Sequence, residues 1–285
     1  MKKISLIIIV TLLMISCSST DRKKFEINTK KYRAENYDNR IKGVVLHYTA
    51  IDNEKSIRAL TKGKVSSHYL ITDREKDPIY SLVDDEQRAW HAGKSEFLGR
   101  KNLNDSTIGI EIVNLGYKPS KTQLHPQVKK LKTGEETFIE KELFEEYRQV
   151  QIEKVGFLVK HLVEKYKIAP KMIVGHSDIS YNRKKDPGPL FPWKYLYDNY
   201  GVGAWYEYSD KLFFMDAEKF SKLSVLDIKK EFRKYGYEIP ETEMWDIHSV
   251  QAVYAFQMHF RPENIDGIVD LETYAILKSL NKKYK

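Results

Sequence analysis

The sequence predicts an α/β domain, a central mixed β-sheet flanked by helices, followed by a small C-terminal three-helix domain. Three observations carry that reading. Short, strongly apolar runs recur between residues 40 and 200, with one long stretch at helical spacing among them. The glycines Gly201 and Gly203 then interrupt the pattern. Beyond them only helical periodicity remains, in three short segments. Strands mixed with helices, then helices alone, describe a sheet domain with a helical appendage. A chain of 285 residues accommodates one full-sized domain and a smaller one.

The elements follow in order. Residues 43–48 (Gly-Val-Val-Leu-His-Tyr) form an apolar run of buried-strand type that ends in a histidine. Residues 69–72 and 79–83 read as a hairpin around Asp73 and Pro78. Residues 108–113 are rich in β-branched side chains and give another strand. Residues 118–137 carry two prolines, a glycine and several lysines, and read as a long loop at a functional rim. From 139 to 166, Leu143, Phe144, Tyr147, Val150, Val155, Leu158, Val159 and Leu162 fall on one helical face. Residues 172–176 close the set as a strand, again ending in a histidine. Residues 201–220 are expected as a linker and 221–285 as the helical domain, with helices at 225–235, 244–259 and 271–280. Gly267, in the turn between the last two, supplies a positive φ.

Composition excludes several classes. With 41% hydrophobic and 31% charged residues, the chain is neither collagenous, coiled-coil nor disordered. The net charge of +8 comes from scattered lysines, with a local cluster only at Lys129, Lys130 and Lys132. No nucleic-acid-binding motif accompanies it, so no nucleic-acid partner is expected.

Residues 1–16 read as a secretion signal: Lys2 and Lys3, then a mainly apolar run from Ile4 to Ile15, about 18 Å long as a helix and too short for a membrane crossing. Cys17, the only cysteine, stands at the signal boundary rather than in a core position, and a lone cysteine excludes an intramolecular disulfide. The segment Leu13-Met14-Ile15-Ser16-Cys17 resembles a bacterial lipobox, with Met14 in place of the usual leucine. That resemblance implies lipidation at Cys17, a linker over 17–39 and attachment to a membrane. Ser18 resembles the outer-membrane sorting pattern of a Gram-negative host, so the expected location is the outer membrane facing the periplasm, or the cell membrane in a host that lacks an outer membrane.

Hydrolytic chemistry is constrained by what is missing. The sole cysteine at the export boundary excludes a cysteine protease, and neither a Gly-x-Ser-x-Gly elbow nor a His-Glu-x-x-His helix occurs. Two histidines at strand ends, His47 and His176, and Asp186 ten residues after the second, form a set suited to catalytic zinc with one position left for water. Spacing alone leaves structural histidines as the alternative.

Six blocks now add a resemblance. They are Val44-Val45-Leu46-His47-Tyr48-Thr49-Ala50, Ser66-Ser67-His68-Tyr69-Leu70-Ile71, Ala89-Trp90-His91-Ala92-Gly93-Lys94-Ser95, Ile108-Gly109-Ile110-Glu111-Ile112-Val113-Asn114, Val174-Gly175-His176-Ser177-Asp178-Ile179, and residues 184–193 from Lys184 to Trp193. In that order they resemble the zinc-dependent N-acetylmuramoyl-L-alanine amidases, a family that includes amidase-type phage lysozymes and peptidoglycan recognition proteins, over roughly residues 40–195. The two-module layout is similar to bacterial outer-membrane lipoprotein amidases. The resemblance implies a hydrolase that cleaves the amide between the lactyl group of N-acetylmuramic acid and L-alanine in peptidoglycan or muropeptides. It implies one Zn²⁺ on His47, His176 and Asp186, Glu111 as the catalytic carboxylate, and Lys184 as stabiliser of the oxyanion, with Lys185 next in register. His68, Trp90 and His91 are expected near substrate, and Asp178 as a residue that holds the His176 loop. His125, His161, His248 and His259 show no ligand spacing and are expected on the surface or in the core.

Residues 250–257, the Asp266–Gly267 turn, Glu272 and Thr273 resemble the small three-helix peptidoglycan-binding domain. The alternative is a helical subdomain that only packs. At the level of function, the alternative is a non-catalytic peptidoglycan-binding lipoprotein, whose mark would be loss of a zinc ligand or of Glu111; neither is lost.

Overall fold

A computed structural model describes residues 27–118 and 143–285. The segment expected as an export signal, Cys17 and nearly all of the loop expected at 118–137 lie outside the described residues. Residues 39–285 form one compact unit; residues 27–38, which are not part of it, contain no helix or strand.

The centre is a five-stranded mixed sheet of order β3-β2-β6-β1-β7. It comprises β1 (Gly43–Tyr48), β2 (Tyr69–Ile71), β3 (Tyr80–Ser81), β6 (Thr107–Ile112) and β7 (Ile173–Gly175). A separate two-stranded ribbon pairs β4 (Glu96–Phe97) with β5 (Arg100–Lys101). Within the five-stranded sheet β1 lies parallel to β6 on one side and β7 on the other, and only the β2–β3 pair is antiparallel. Parallel strands covered on both faces are apolar without alternation. β1 obeys: Val44, Val45 and Leu46 are all fully buried.

The register decides where the chemistry goes. β1 and β6 pair His47 with Glu111, so both side chains leave the same face at the carboxyl ends of neighbouring strands. β7 runs alongside and hands the chain directly to His176, the first residue of α3 (His176–Ile179). The carboxyl ends of parallel strands are where open α/β sheets bind ligands.

Helices cover the sheet: α1 (Asn53–Lys62), α2 (Gln149–Tyr166) and α4 (Trp193–Tyr200). α1 starts at Asp52, whose side chain accepts from the Lys55 N–H, an ordinary N-cap. α2 is shorter than its periodicity suggests. Arg148 has extended backbone angles and its N–H donates to the Gln151 side chain, which opens the helix there. Phe144, counted above on the helical face, instead makes a β-bridge with Tyr117.

The stretch 201–220 is not a plain linker. It holds α5 (Tyr208–Phe214) and α6 (Ala217–Ser221). α5 is fastened to α9 (Leu271–Lys283) by Lys211–Glu272 at 2.8 Å, Lys282–Asp210 at 2.5 Å and a bond from Ser279 Oγ to the Glu207 carbonyl. Tertiary ion pairs, not an apolar periodicity, make this a helix, which is why the pattern gave no sign of it.

Three helices follow as expected: α7 (Val225–Tyr235), α8 (Ile247–Phe260) and α9. Gly267 has φ +69° in the turn before α9. These helices do not pack only on one another. Phe97 of β4 meets Tyr235 and Tyr237 edge-on, and one continuous core joins the sheet to Phe232, Phe256 and Leu280. The Leu98 and Gly99 N–H groups donate to the Gly236 carbonyl and the Glu238 carboxylate.

Candidate active site

The cleft above β1 and β6 has a volume of about 220 Å³ and is lined by His47, Glu111, His176, Lys184, Asp186 and Trp90, with Ile51, Ala59 and Leu60 as an apolar wall. Three buried donor atoms converge in it. His47 Nδ1 lies 2.9 Å from His176 Nδ1 and 2.9 Å from Asp186 Oδ2, and the third side of the triangle is 3.0 Å.

The partners behind each imidazole favour one tautomer. His176 Nε2 is 3.0 Å from the Ala92 carbonyl, which only accepts, and 3.4 Å from the Arg183 guanidinium, so the shorter contact assigns the proton to Nε2. On the other side, Thr107 Oγ1 donates to the Leu103 carbonyl and is left to accept from His91 Nε2. His91 Nδ1 is then the acceptor for His47 Nε2–H at 3.1 Å. Both chains leave a bare Nδ1 lone pair pointing at the Asp186 carboxylate. Three acceptors at this spacing repel one another unless a cation or a proton sits among them. Two imidazole nitrogens and a carboxylate, with hydrogen-bonded second partners, are a donor set that fits a divalent metal ion.

Titration behaviour agrees. Burial, then the nearby His176, brings His47 down to about 4, so it stays neutral at physiological pH. Burial alone would raise Asp186, but in the metal-free protein a proton shared with the His176 and His47 imidazoles holds its carboxyl well below the usual range. Glu111 goes the other way: burial, then the charge of Asp186, pushes it up to about 8, with Lys184 opposing. Its Oε2 is buried with no hydrogen-bond partner among the described residues.

The loop bearing Asp186 is fixed from several sides. The Ser177 N–H donates to the Asp186 carbonyl at 2.8 Å, and the Tyr147 hydroxyl donates to the Pro187 carbonyl at 2.8 Å. The Asp186–Pro187 peptide is cis. Lys184 is half-buried at the cleft, whereas Lys185 is exposed and sits over the Tyr117 ring.

Two of the expected substrate contacts are placed differently. His68 is fully buried, accepts the Gly109 N–H on Nδ1 and reaches the Gln87 carbonyl with Nε2, so it is a structural residue with no free nitrogen for a ligand. His91 is buried behind His47 at the floor of the cleft, held by Asn104 Oδ1, which accepts the His91 and Ala92 N–H groups. Its ring occupies the space over Gly109, where a Cβ would come within 2.4 Å of it. Trp90 alone is exposed, at the cleft mouth, with the Arg88 guanidinium over its ring at 4.2 Å. His161 and His248 are on the surface, His259 is in the core, and His125 lies outside the described residues.

A cleft that gathers lone pairs suited to a metal ion beside a high-pKa carboxylate is the equipment of a hydrolase. The chain belongs to the N-acetylmuramoyl-L-alanine amidase family, whose model matches residues 37–189, and a peptidoglycan binding domain is matched at residues 221–277. It is 32% identical over 294 residues to the N-acetylmuramoyl-L-alanine amidase AmiD of Escherichia coli (strain K12), spanning 100% of this chain and 99% of that protein. Among solved structures it is similar to AmpDH3 from Pseudomonas aeruginosa in complex with an anhydromuramic pentapeptide, with TM-score 0.77 and 41% identity over 91% of this chain and 98% of that one. It is also similar to Escherichia coli AmiD in complex with anhydro-N-acetylmuramic acid-L-Ala-D-gamma-Glu-L-Lys, with TM-score 0.76 and 33% identity over 93% and 97%.

Proposed function

We propose that this amidase is a zinc enzyme that hydrolyses the lactyl–L-alanine amide of muropeptides, anhydromuramyl peptides included, in cell-wall turnover. The observation that carries the reading is the triangle of bare donor atoms on His47, His176 and Asp186, in register with Glu111. The anhydromuramyl peptides bound to the two relatives support the substrate class.

When bound, zinc would be held by these three residues and would supply a Lewis acid able to acidify the attacking water towards a pKa of about 7. Glu111 is the general base: it takes the proton of the attacking water and returns it to the leaving amine. Its buried, unpartnered oxygen suits that shuttle, since no competing hydrogen bond must break first. Lys184 stabilises the negative charge that develops on the scissile carbonyl oxygen. His91 and Ala92 O act through the ligands, keeping each Nδ1 unprotonated and aimed into the cleft. Trp90 offers an exposed ring at the mouth against which the sugar or the peptide stacks.

Residues 221–285 serve as a wall-binding surface, a reading supported by the family match there. The leading sequence supports export and lipidation at Cys17, with membrane attachment at the periplasmic face of an outer membrane. Among the described residues no helix is long and apolar enough to cross a membrane.

The test is mass spectrometry of purified muropeptides after incubation, with and without a zinc chelator. Free stem peptide with peptide-free sugar, lost on chelation and restored by zinc, is expected. Intact muropeptides in every tube, from protein that still sediments with sacculi, refute the hydrolase and favour a binding-only lipoprotein.

A further inference from the structure

Asp178 lies two residues past His176 and is almost fully buried, yet it takes no place in the donor triangle. Its Oδ2 accepts the Gly175 N–H at 2.7 Å, at the junction where β7 delivers His176. The same oxygen accepts from His259 Nδ1 at 2.8 Å, and Oδ1 accepts the Tyr237 hydroxyl at 2.6 Å. Both donors come from the C-terminal helical region, His259 from α8 and Tyr237 from the turn after α7.

His259 has a second hold. Its ring stacks on Trp193, with centroids 3.8 Å apart and planes at 15°, and on Phe260 at 3.9 Å. Trp193 opens α4 immediately after the loop that carries Asp186. One side chain thus grips the chain two residues past one member of the triangle and seven residues past another.

We infer that the C-terminal helices brace the metal-binding loop: Asp178 is a positioning residue for His176, and His259 and Tyr237 hold Asp178. The inference builds on the zinc reading proposed above. A buried carboxylate that loses a donor must recover one elsewhere, since an unsatisfied buried acceptor is costly. The nearest freedom it has is to turn from the Gly175 N–H, and that N–H fixes the backbone from which His176 projects. A helical module that only tethers would leave the metal's affinity untouched.

The experiment uses the full-length, zinc-loaded protein and reads the zinc dissociation constant by chelator competition, with the visible absorption spectrum of the cobalt-substituted form as a second readout. His259→Phe keeps the stack but deletes the donor. Tyr237→Phe deletes a single hydroxyl. Asn281→Ala, which removes the bonds from α9 to Glu231, serves as a control that destabilises the helical region away from Asp178. His259→Phe is expected to weaken zinc roughly tenfold, the lower end for outer-shell partners, and to shift the cobalt bands. Tyr237→Phe should act in the same direction to a smaller extent, and it decides the matter if His259→Phe does not fold. Asn281→Ala should hold zinc like the wild type. Wild-type affinity and spectrum in the folded variants overturn the coupling alone, as does an equal loss in Asn281→Ala. A wild-type protein that takes up no zinc overturns the metal reading and this inference with it.

Discussion

Glu111→Gln separates the buried carboxylate's charge from its shape. In the metal-free protein, Glu111 is pushed from 4.5 up to about 8, by burial first and by Asp186 second. The folded state therefore holds a proton that the unfolded chain has released. Stability attributable to this group is fully present below pH 4.5 and is lost as pH rises towards 8. Each pH unit in that window is worth about 1.4 kcal/mol, so the loss reaches about 5 kcal/mol in all. Glutamine fills the same space and never ionises. Urea unfolding of zinc-stripped wild type and variant, repeated at half-unit steps of pH, should show the two close together near pH 4.5. At pH 8 the variant should unfold roughly 1–2 M later. Parallel curves across the window would refute the account of Glu111 as a desolvated acid. With zinc restored, a nearby dication favours the carboxylate. The variant should then keep its metal but lose about 10²–10⁴-fold in kcat.

Three further outcomes follow from particular contacts. Gly109→Ala places a methyl group in the His91 ring, so His91 must move off His47; zinc content per chain and turnover should both fall while far-ultraviolet circular dichroism stays native. Trp90→Ala should raise KM several-fold on muropeptides with kcat nearly unchanged, and unaltered KM would remove Trp90 from the substrate path. Phe97→Ala empties the seam between β4 and the C-terminal aromatics and should cost about 3–5 kcal/mol in a single cooperative unfolding transition. Two separate calorimetric transitions in the wild type would contradict the shared core.

The legible part of this protein is local. The β1, β6 and β7 strands are apolar runs whose ends name their own chemistry, and His47, Glu111, His176 and Asp186 fall in one cleft because three of them terminate neighbouring strands. What the sequence concealed depends on distant partners. His68 and His91 stand in similar surroundings along the chain, and only the fold gives one a backbone carbonyl and the other His47 Nε2. α5 has no apolar stripe of its own and exists through ion pairs with α9. His259 lies 81 residues from Asp178, and nothing in its spacing points back to a strand end so far away. α2 starts later than the spacing suggests for a local reason: apolar residues from 143 to 147 keep helical spacing, but they are spent on the Tyr117–Phe144 bridge and the Pro187 carbonyl.

The core common to the sheet and the C-terminal helices has a consequence for catalysis on an insoluble polymer. A module on a flexible leash enriches substrate over a whole volume and leaves orientation to chance. Here the proposed wall-contacting surface shares Phe97, Tyr237 and Phe232 with the catalytic scaffold, so it behaves as a gauge rather than a leash. If the helices hold glycan as proposed, the shared core would present it to the cleft at a set distance and angle.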